Sequence, residues 1–157
     1  INDPKKTPFG KQLKEHGVII EWVARSRIEI DAARLIVLNA AIKIDQGGAK
    51  SALKEIAQAK VLVPNMALAV IDRAVQSFGA AGVSQDTPLA GTWANIRTLK
   101  LADGPDEVHL QQLGRNENKR APQVTATILK QKETAQRLFS QYNVQHKEPG
   151  PSKKAKL

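Results

Sequence analysis

The sequence predicts an all-α fold: an up-and-down four-helix bundle with a short extra C-terminal helix and a disordered tail. Two observations carry this. Apolar residues recur at three-, four- and seven-residue spacings over long stretches, and no strand-like alternation runs for any length. The apolar set is mainly Ala, Val, Leu and Ile, and aromatic residues make up only 4% of the chain, a mixture that suits helices better than sheets.

The elements follow in order. Over residues 11–44, Val18, Trp22, Ile28, Leu35, Leu38 and Ile42 fall near helical spacing, while Arg25, Glu29 and Lys43 take other faces. Gln46-Gly47-Gly48 ends this helix as a glycine C-cap does. A second helical stretch covers residues 49–78, with Pro64 inside it. That proline is expected to kink or split the helix, because its N–H is missing and its ring collides with the preceding turn. Two such helices, each roughly 45 Å long at 1.5 Å per residue, joined by a short glycine turn, form an antiparallel pair.

Gly79-Ala80-Ala81-Gly82 then breaks the pattern, and the polar turn from Ser84 to Pro88 leads into a third helix over residues 89–101. An Asp103-Gly104-Pro105 turn follows, then a short fourth helix to about Asn116. Pro122 is expected to start a fifth helix that ends near Tyr142. The expected organisation is a helical bundle over residues 1–118, an additional helix over 119–142, and a basic disordered tail over 143–157. No internal repeat is visible.

Composition narrows the function classes. A length of 157 residues suits one domain with one core. The absence of cysteine excludes disulfides, thiolate metal sites and thiol nucleophiles. No apolar run reads as a membrane span, and no signal peptide is expected. The chain opens at Ile1 rather than Met, which leads us to expect a fragment or the C-terminal part of a longer protein. The net charge of +9 is uneven: residues 114–157 hold ten Lys and Arg against three Glu, a net of +7, which leaves +2 for the first 113 residues. A basic tail of this kind attracts polyanions in a salt-dependent way. No aromatic stacking platform or recognised helix motif accompanies it, which argues against a nucleic-acid-binding protein.

The stretch Leu101-Ala102-Asp103-Gly104-Pro105-Asp106-Glu107-Val108-His109 concentrates the chemistry. Taken locally, it starts a helix. Pro105 occupies a first-turn position where a missing N–H costs little, and Asp106 and Glu107 face the positive end of the helix dipole. Asp103 is then either a plain helix-start residue or a carboxylate placed for work as a base. Trp22 and Trp93 suit core or interface anchors. Arg25, Arg27 and Arg34 suit a solvated or intersubunit charged face. His16, His109 and His146 have no metal-ligand spacing, so no metal site is expected. No Gly-x-Ser-x-Gly, P-loop or nicotinamide-type glycine pattern occurs.

Four separated blocks decide between these readings. Lys6-Thr7-Pro8-Phe9-Gly10-Lys11, Ala57-Gln58-Ala59-Lys60, Gln76-Ser77-Phe78-Gly79-Ala80-Ala81-Gly82 and Asp103-Gly104-Pro105 together resemble the C-terminal helical domain of the acyl-CoA dehydrogenase family. They are similar, in turn, to its Arg-x-x-Phe-Gly-Lys turn, its Ala-x-x-Lys segment, its Gln-x-x-Gly-Gly-x-Gly turn and its Glu-Gly-Thr turn. Their order and spacing across residues 6 to about 116 carry the likeness. Gly82-Val83-Ser84-Gln85-Asp86, with Leu101 to His109, looks most like the family's members ten and eleven, which act in peroxisomes or mitochondria.

The resemblance implies an FAD-dependent enzyme. In it, a carboxylate removes the α-proton of an acyl-CoA while the β-carbon gives a hydride to the flavin N5. It implies Asp103 as that base, at the position of the family's Glu. Asp is one methylene shorter, so the backbone must sit on the order of 1 Å closer to the α-carbon for a ~3 Å approach. It implies cofactor contacts for Lys6, Gln76, Gly79, Ala80, Gly104 and Pro105, with the Gln76 turn reaching the flavin's adenosine half across a subunit interface. Departures are visible. Lys6 replaces an Arg and supplies charge without the bidentate fork. Gly79-Ala80 replaces Gly-Gly, and Ala94-Asn95 stands where an Arg-Asp pair is common. Asp106 and Glu107 put two acids where phosphate contacts are expected.

The partners implied are an acyl-CoA substrate and a second copy of the chain, as a homodimer or homotetramer through the long helices. Most of the flavin and acyl pocket belongs to an N-terminal helical domain and a middle β-domain in this family, so the chain alone is not expected to oxidise acyl-CoA. Ala155-Lys156-Leu157 is a close variant of the Ser-Lys-Leu address read by the peroxisomal import receptor, which points to a peroxisome, with a mitochondrion as the alternative. The competing functions are a non-catalytic helical oligomerisation module, favoured by Lys6 and Gly79-Ala80, and the basic nucleic-acid binder.

Overall fold

A computed structural model describes residues 1–144. Among them are five α-helices and no strand: α1 (Gly17–Gly47), α2 (Leu53–Phe78), α3 (Ala80–Val83), α4 (Leu89–Thr98) and α5 (Asp106–Gln141). The all-α expectation holds. The expected basic tail lies outside the described residues from 145 onward, together with His146 and Ala155-Lys156-Leu157.

The chain divides into two compact units, Ile1–Arg115 and the part from Asn116 onward. In the first unit α2 is the central element, packed against α1, α3 and α4. The α1–α2 connection is short because Gly48 takes φ +75° and its N–H closes on the Ile44 carbonyl at 2.7 Å. Ser51 Oγ then donates to the Gly48 carbonyl at 2.8 Å and holds the 3-10 turn Ala49–Ala52. The first helix begins at Gly17 rather than near residue 11, because two 3-10 turns, Pro8–Gly10 and Leu13–Glu15, come first. A ring nitrogen of His16 lies 3.1 Å from the Pro8 carbonyl and ties them to the helix start.

Both internal prolines sit in continuous helix. Pro64 is buried within α2 and does not split it. The helices expected to end near Asn116 and to start at Pro122 are one element, α5. A proline removes one i→i−4 hydrogen bond. At Pro122 the freed carbonyl belongs to exposed Asn118, which solvent can satisfy, and the neighbours Lys119, Arg120, Ala121 and Gln123 are strong helix formers. The third helix ends at Thr98 rather than at Leu101, giving way to turns that carry Asp103.

The core is small and made of small residues. Ile19, Ala33, Ala40, Ala52 and Ala57 are its buried hydrophobic members. Alanine at Ala33, Ala40 and Ala57 lets the α1 and α2 backbones come close. Arg73 adds a bidentate pair, donating from its two terminal nitrogens to Glu29 at 2.6 and 2.7 Å and to Ser26 Oγ at 3.0 Å. Much apolar surface stays outside: Val18, Ile20, Val23, Ile28, Leu35 and Leu38 of α1 are all exposed. Arg25 and Arg27 lie on the surface in i,i+4 pairs with Glu21 and Asp31.

One expectation about α2 needs correction. The continuous stretch Ala49–Phe78 is, by length and composition, long and apolar enough to cross a membrane. The interruptions at Lys60, Asn65, Asp72 and Arg73 hid this from a reading of local runs. Lys60, Asn65 and Arg73 all make polar contacts within the first unit, which fits the central helix of a bundle.

Candidate functional site

Asp103 lies in the turn between α4 and α5 with φ +55°, and Gly104 follows at φ +100°. Two consecutive left-handed residues reverse the chain tightly. Gly supplies the second at no steric cost, and Asp is among the few side chains that tolerate the first. Asp103 is exposed, and among the described residues its carboxylate makes no hydrogen bond or ion pair. α5 begins just after, at Asp106, one residue later than a Pro105 inside the first turn would have it; the Pro105 carbonyl accepts the Val108 N–H at 3.0 Å.

The residues around this turn are anchored on α2. Lys60, from the Ala-x-x-Lys block, donates to the Leu99 carbonyl at 2.6 Å. Lys100 lies 3.0 Å from Asp106 Oδ2 and donates to Asn65 Oδ1. Asn65 Nδ2 donates to Asp106 Oδ2 at 2.8 Å and to the Val61 carbonyl at 2.7 Å. Asp106 is 8% exposed. Burial pushes its carboxyl up, but hydrogen bonds from Asn65 and Lys100, and the charges of Lys100 and Arg97, outweigh that and hold it below the usual carboxylate range.

The sequence reading placed Asp106 among acids facing a phosphate. The structure turns it inward onto a lysine, so the expected repulsion from Asp106 is absent, while Glu107 stays exposed. Beneath the turn, a Cβ on Gly104 would meet His109 Nε2 at 3.2 Å. Both ring nitrogens of His109, and Nη1 of Arg97, are buried without a hydrogen-bond partner among the described residues.

A second cluster sits at the C-terminal end of α2. Gly79 closes the helix at φ +66°, its N–H bonded to the Val75 carbonyl at 3.0 Å. Lys6 reaches this end from 71 residues away and donates to the carbonyls of Ser77 and Phe78 at 3.0 and 3.3 Å. Lys6 thus lies at the end of α2 that carries Gln76, Gly79 and Ala80, the last three of which are exposed. Gly82 is required by close approach: a Cβ there would lie 2.5 Å from the Val75 carbonyl oxygen. Asp103, Gly104 and Pro105 are not part of this cluster. They are tied to α2 near Asn65, about 18 Å from Ser77 along the helix at 1.5 Å per residue.

Sequence reasoning missed Asn65, Lys100 and the inward role of Asp106. The signal available was the placement of a Lys and an Asp immediately on either side of the turn. A groove of about 430 Å³ lies elsewhere, between α1 and α2, and is lined by Trp22, Val23, Ile30, Val70 and Phe78. Trp22 thus serves as a packing residue there, while Trp93 is 40% exposed. Among the described residues no group of His, Asp and Glu could hold a metal ion.

The described residues form an all-α domain in which a carboxylate turn between α4 and α5 is fastened to the middle of α2, and Lys6 meets a glycine turn at the end of that helix. Residues 5–117 match the family model described as the acyl-CoA dehydrogenase C-terminal domain, and the chain belongs to that family. It is 52% identical over 113 residues to acyl-CoA dehydrogenase family member 11 of Rattus norvegicus, a match covering 72% of this chain and 14% of the rat protein. It is 56% identical over 104 residues to family member 10 of Mus musculus, covering 66% of this chain and 10% of that protein. The backbone is similar to a solved acyl-CoA dehydrogenase-like protein of Mycobacterium abscessus, with a TM-score of 0.72 and 46% identity over 74% of this chain and 28% of that one. The chain thus spans a small part of the relatives it matches.

Proposed function

We propose that this domain supplies the catalytic base of an FAD-dependent acyl-CoA dehydrogenase, with Asp103 removing the α-proton of the acyl-CoA. The observation that carries the reading is the contrast between the two aspartates of the turn. Asp106 is held on three sides by Asn65, Lys100 and burial, whereas Asp103 is left exposed with its carboxylate unengaged. A base must present an unoccupied oxygen to its substrate, and of the two only Asp103 has one.

The flavin, when bound, supplies the acceptor for the β-hydride. Lys6, Gln76, Gly79 and Ala80 are the residues of this chain that would hold its phosphate or adenosine part. They form an exposed turn beside a lysine ammonium, with open space around Gly79. Gly104 and Pro105 would meet the cofactor through backbone and ring alone, since neither has a polar side chain. The unpartnered His109 and Arg97 nitrogens leave polar capacity beside the carboxylate turn for a substrate, a cofactor or another domain. The exposed apolar face of α1 suits cover by the remaining domains and by a second copy of the chain in a homodimer or homotetramer.

The deciding experiment is dye-linked oxidation of a panel of acyl-CoAs by the full-length protein and by its Asp103→Asn variant. General-base removal is expected to lower kcat by about 10²- to 10⁴-fold with flavin content unchanged. Retained turnover in a flavin-loaded variant would show that another group takes the proton. A peroxisomal location rests on Ala155-Lys156-Leu157 alone. Removing these three residues from a fluorescent fusion is expected to release it from peroxisomes into the cytosol, and an unchanged pattern would dismiss the address.

The exposed apolar α1 face also favours a second reading, a helical oligomerisation module without chemistry. In that case the full-length protein assembles but oxidises none of the panel.

A further inference from the structure

We propose that Asn65, Lys100 and Asp106 are positioning residues: a polar clamp that closes the Asp103 turn onto α2 and sets where its carboxylate points. The catalytic part of this proposal rests on Asp103 being the base.

Lys100 and Asp106 stand immediately before and after residues 101–105, and their side chains meet at 3.0 Å. The pair therefore joins the two ends of the turn. Asn65 then fastens the joined ends to α2. Its Nδ2 donates to Asp106 Oδ2 at 2.8 Å and to the Val61 carbonyl at 2.7 Å, and its Oδ1 accepts from Lys100. Both ends of the amide are used, so the side chain has one orientation that satisfies all its neighbours. Lys60 adds a separate tie, to the Leu99 carbonyl at 2.6 Å.

The arrangement is more than a surface ion pair. The Lys100 and Asp106 side chains are 23% and 11% exposed, so solvent competes weakly for them. Partly buried pairs of this kind contribute little net stability compared with apolar replacements, and their best-supported use is to specify one conformation. The turn they enclose needs such specification. Asp103 at φ +55° and Gly104 at φ +100° both lie outside the right-handed and extended regions, and a sparsely populated conformation at Asp103 persists when its surroundings hold it. A base displaced by about 1 Å loses on the order of 10² in rate.

The test uses the full-length flavoprotein with Lys100→Met and Asp106→Asn, and with Lys100→Arg and Asp106→Glu as conservative variants. We expect kcat to fall roughly 10- to 100-fold in the first two, with KM for acyl-CoA changed less than about threefold and flavin content unchanged. The isotope effect with α-deuterated acyl-CoA is expected to rise, as proton removal becomes more limiting. Asp106→Glu is expected to recover part of the loss. Backbone amide exchange over residues 101–105 is expected to quicken in Lys100→Met while exchange along the rest of α2 stays as in the parent.

Unchanged kcat and isotope effect, or a loss fully explained by missing flavin or lowered melting temperature, would overturn the positioning role. If Asp106→Asn does not take up flavin, Lys100→Arg, which keeps the charge and alters the reach, is read by the same kcat and isotope criteria. Asp103→Asn separates the two claims. If that variant keeps its turnover, the base reading fails, and the exchange measurement still decides whether the clamp holds the turn.

Discussion

Asp103 and Gly104 show how much of a site resides in two backbone angles. The first carries a carboxylate through a left-handed conformation that Asp tolerates, and the second completes the reversal in a conformation that favours glycine. Gly104→Ala tests this directly. The new Cβ would combine positive φ with a 3.2 Å approach to His109 Nε2. It is expected to cost about 1–3 kcal/mol, read as a lower melting temperature of the full-length protein. A melting temperature within a degree of the parent would mean that the turn relaxes freely. The choice of Asp103 as candidate base was legible in the sequence from its block and its neighbours. The inward turn of Asp106 was not, because its partner Asn65 lies 41 residues away and its cation is on the other side of the loop.

Among the elements, α1 and α2 were legible because their signals are local. Apolar periodicity marked their lengths, and Gly48 marked the end of the first. Pro122 does not start a new helix and Pro64 does not split α2, since a proline reports a lost hydrogen bond but not whether the neighbouring turns hold the helix together. What joins α1 to α2 at a polar level is the Arg73 pair with Glu29. The hydrogen bond from Arg73 holds the Glu29 carboxyl below its usual range, against burial, with the charges of Arg73 and Arg25 assisting. A lowered folded-state value means that this stability is fully present above the ordinary glutamate value, near ~4.3, and is lost as pH falls through the lower folded value. Glu29→Gln is therefore expected to destabilise the protein by about 1 kcal/mol at pH 7. The difference from the parent should shrink towards nothing in strong acid. Urea melts across that range check it, and a gap that stays constant with pH would show that the charge contributes nothing.

At the scale of the whole molecule, the dominant fact is how little is buried. Among the described residues the buried hydrophobic ones are four alanines and one isoleucine, while Ile28 and Leu35 are 69% and 67% exposed. A domain with so small a core needs other surfaces to cover its apolar faces. The isolated chain is accordingly expected to self-associate. Light scattering should give a mass above 17.1 kDa that falls when Leu35 and Leu38 are changed together to Glu. A monomer that stays folded and soluble at about 100 μM, far above the affinity of ordinary specific contacts, would mean that these faces need no cover.

The sequence by itself determined the helical class, the family and the four blocks that carry the family likeness, because periodicity, glycine stops and short motifs are properties of neighbouring residues. Only the tertiary structure decided which blocks meet. It brought Lys6 to the Gln76–Gly79 end of α2, kept the Asp103 turn at a separate station on the same helix, and set Asn65, Lys100 and Asp106 around it. Contacts between residues 35 to 72 positions apart leave no local pattern in a chain. They appear only when backbones pack, and here they separate Asp106, which is held, from Asp103, whose carboxylate is exposed.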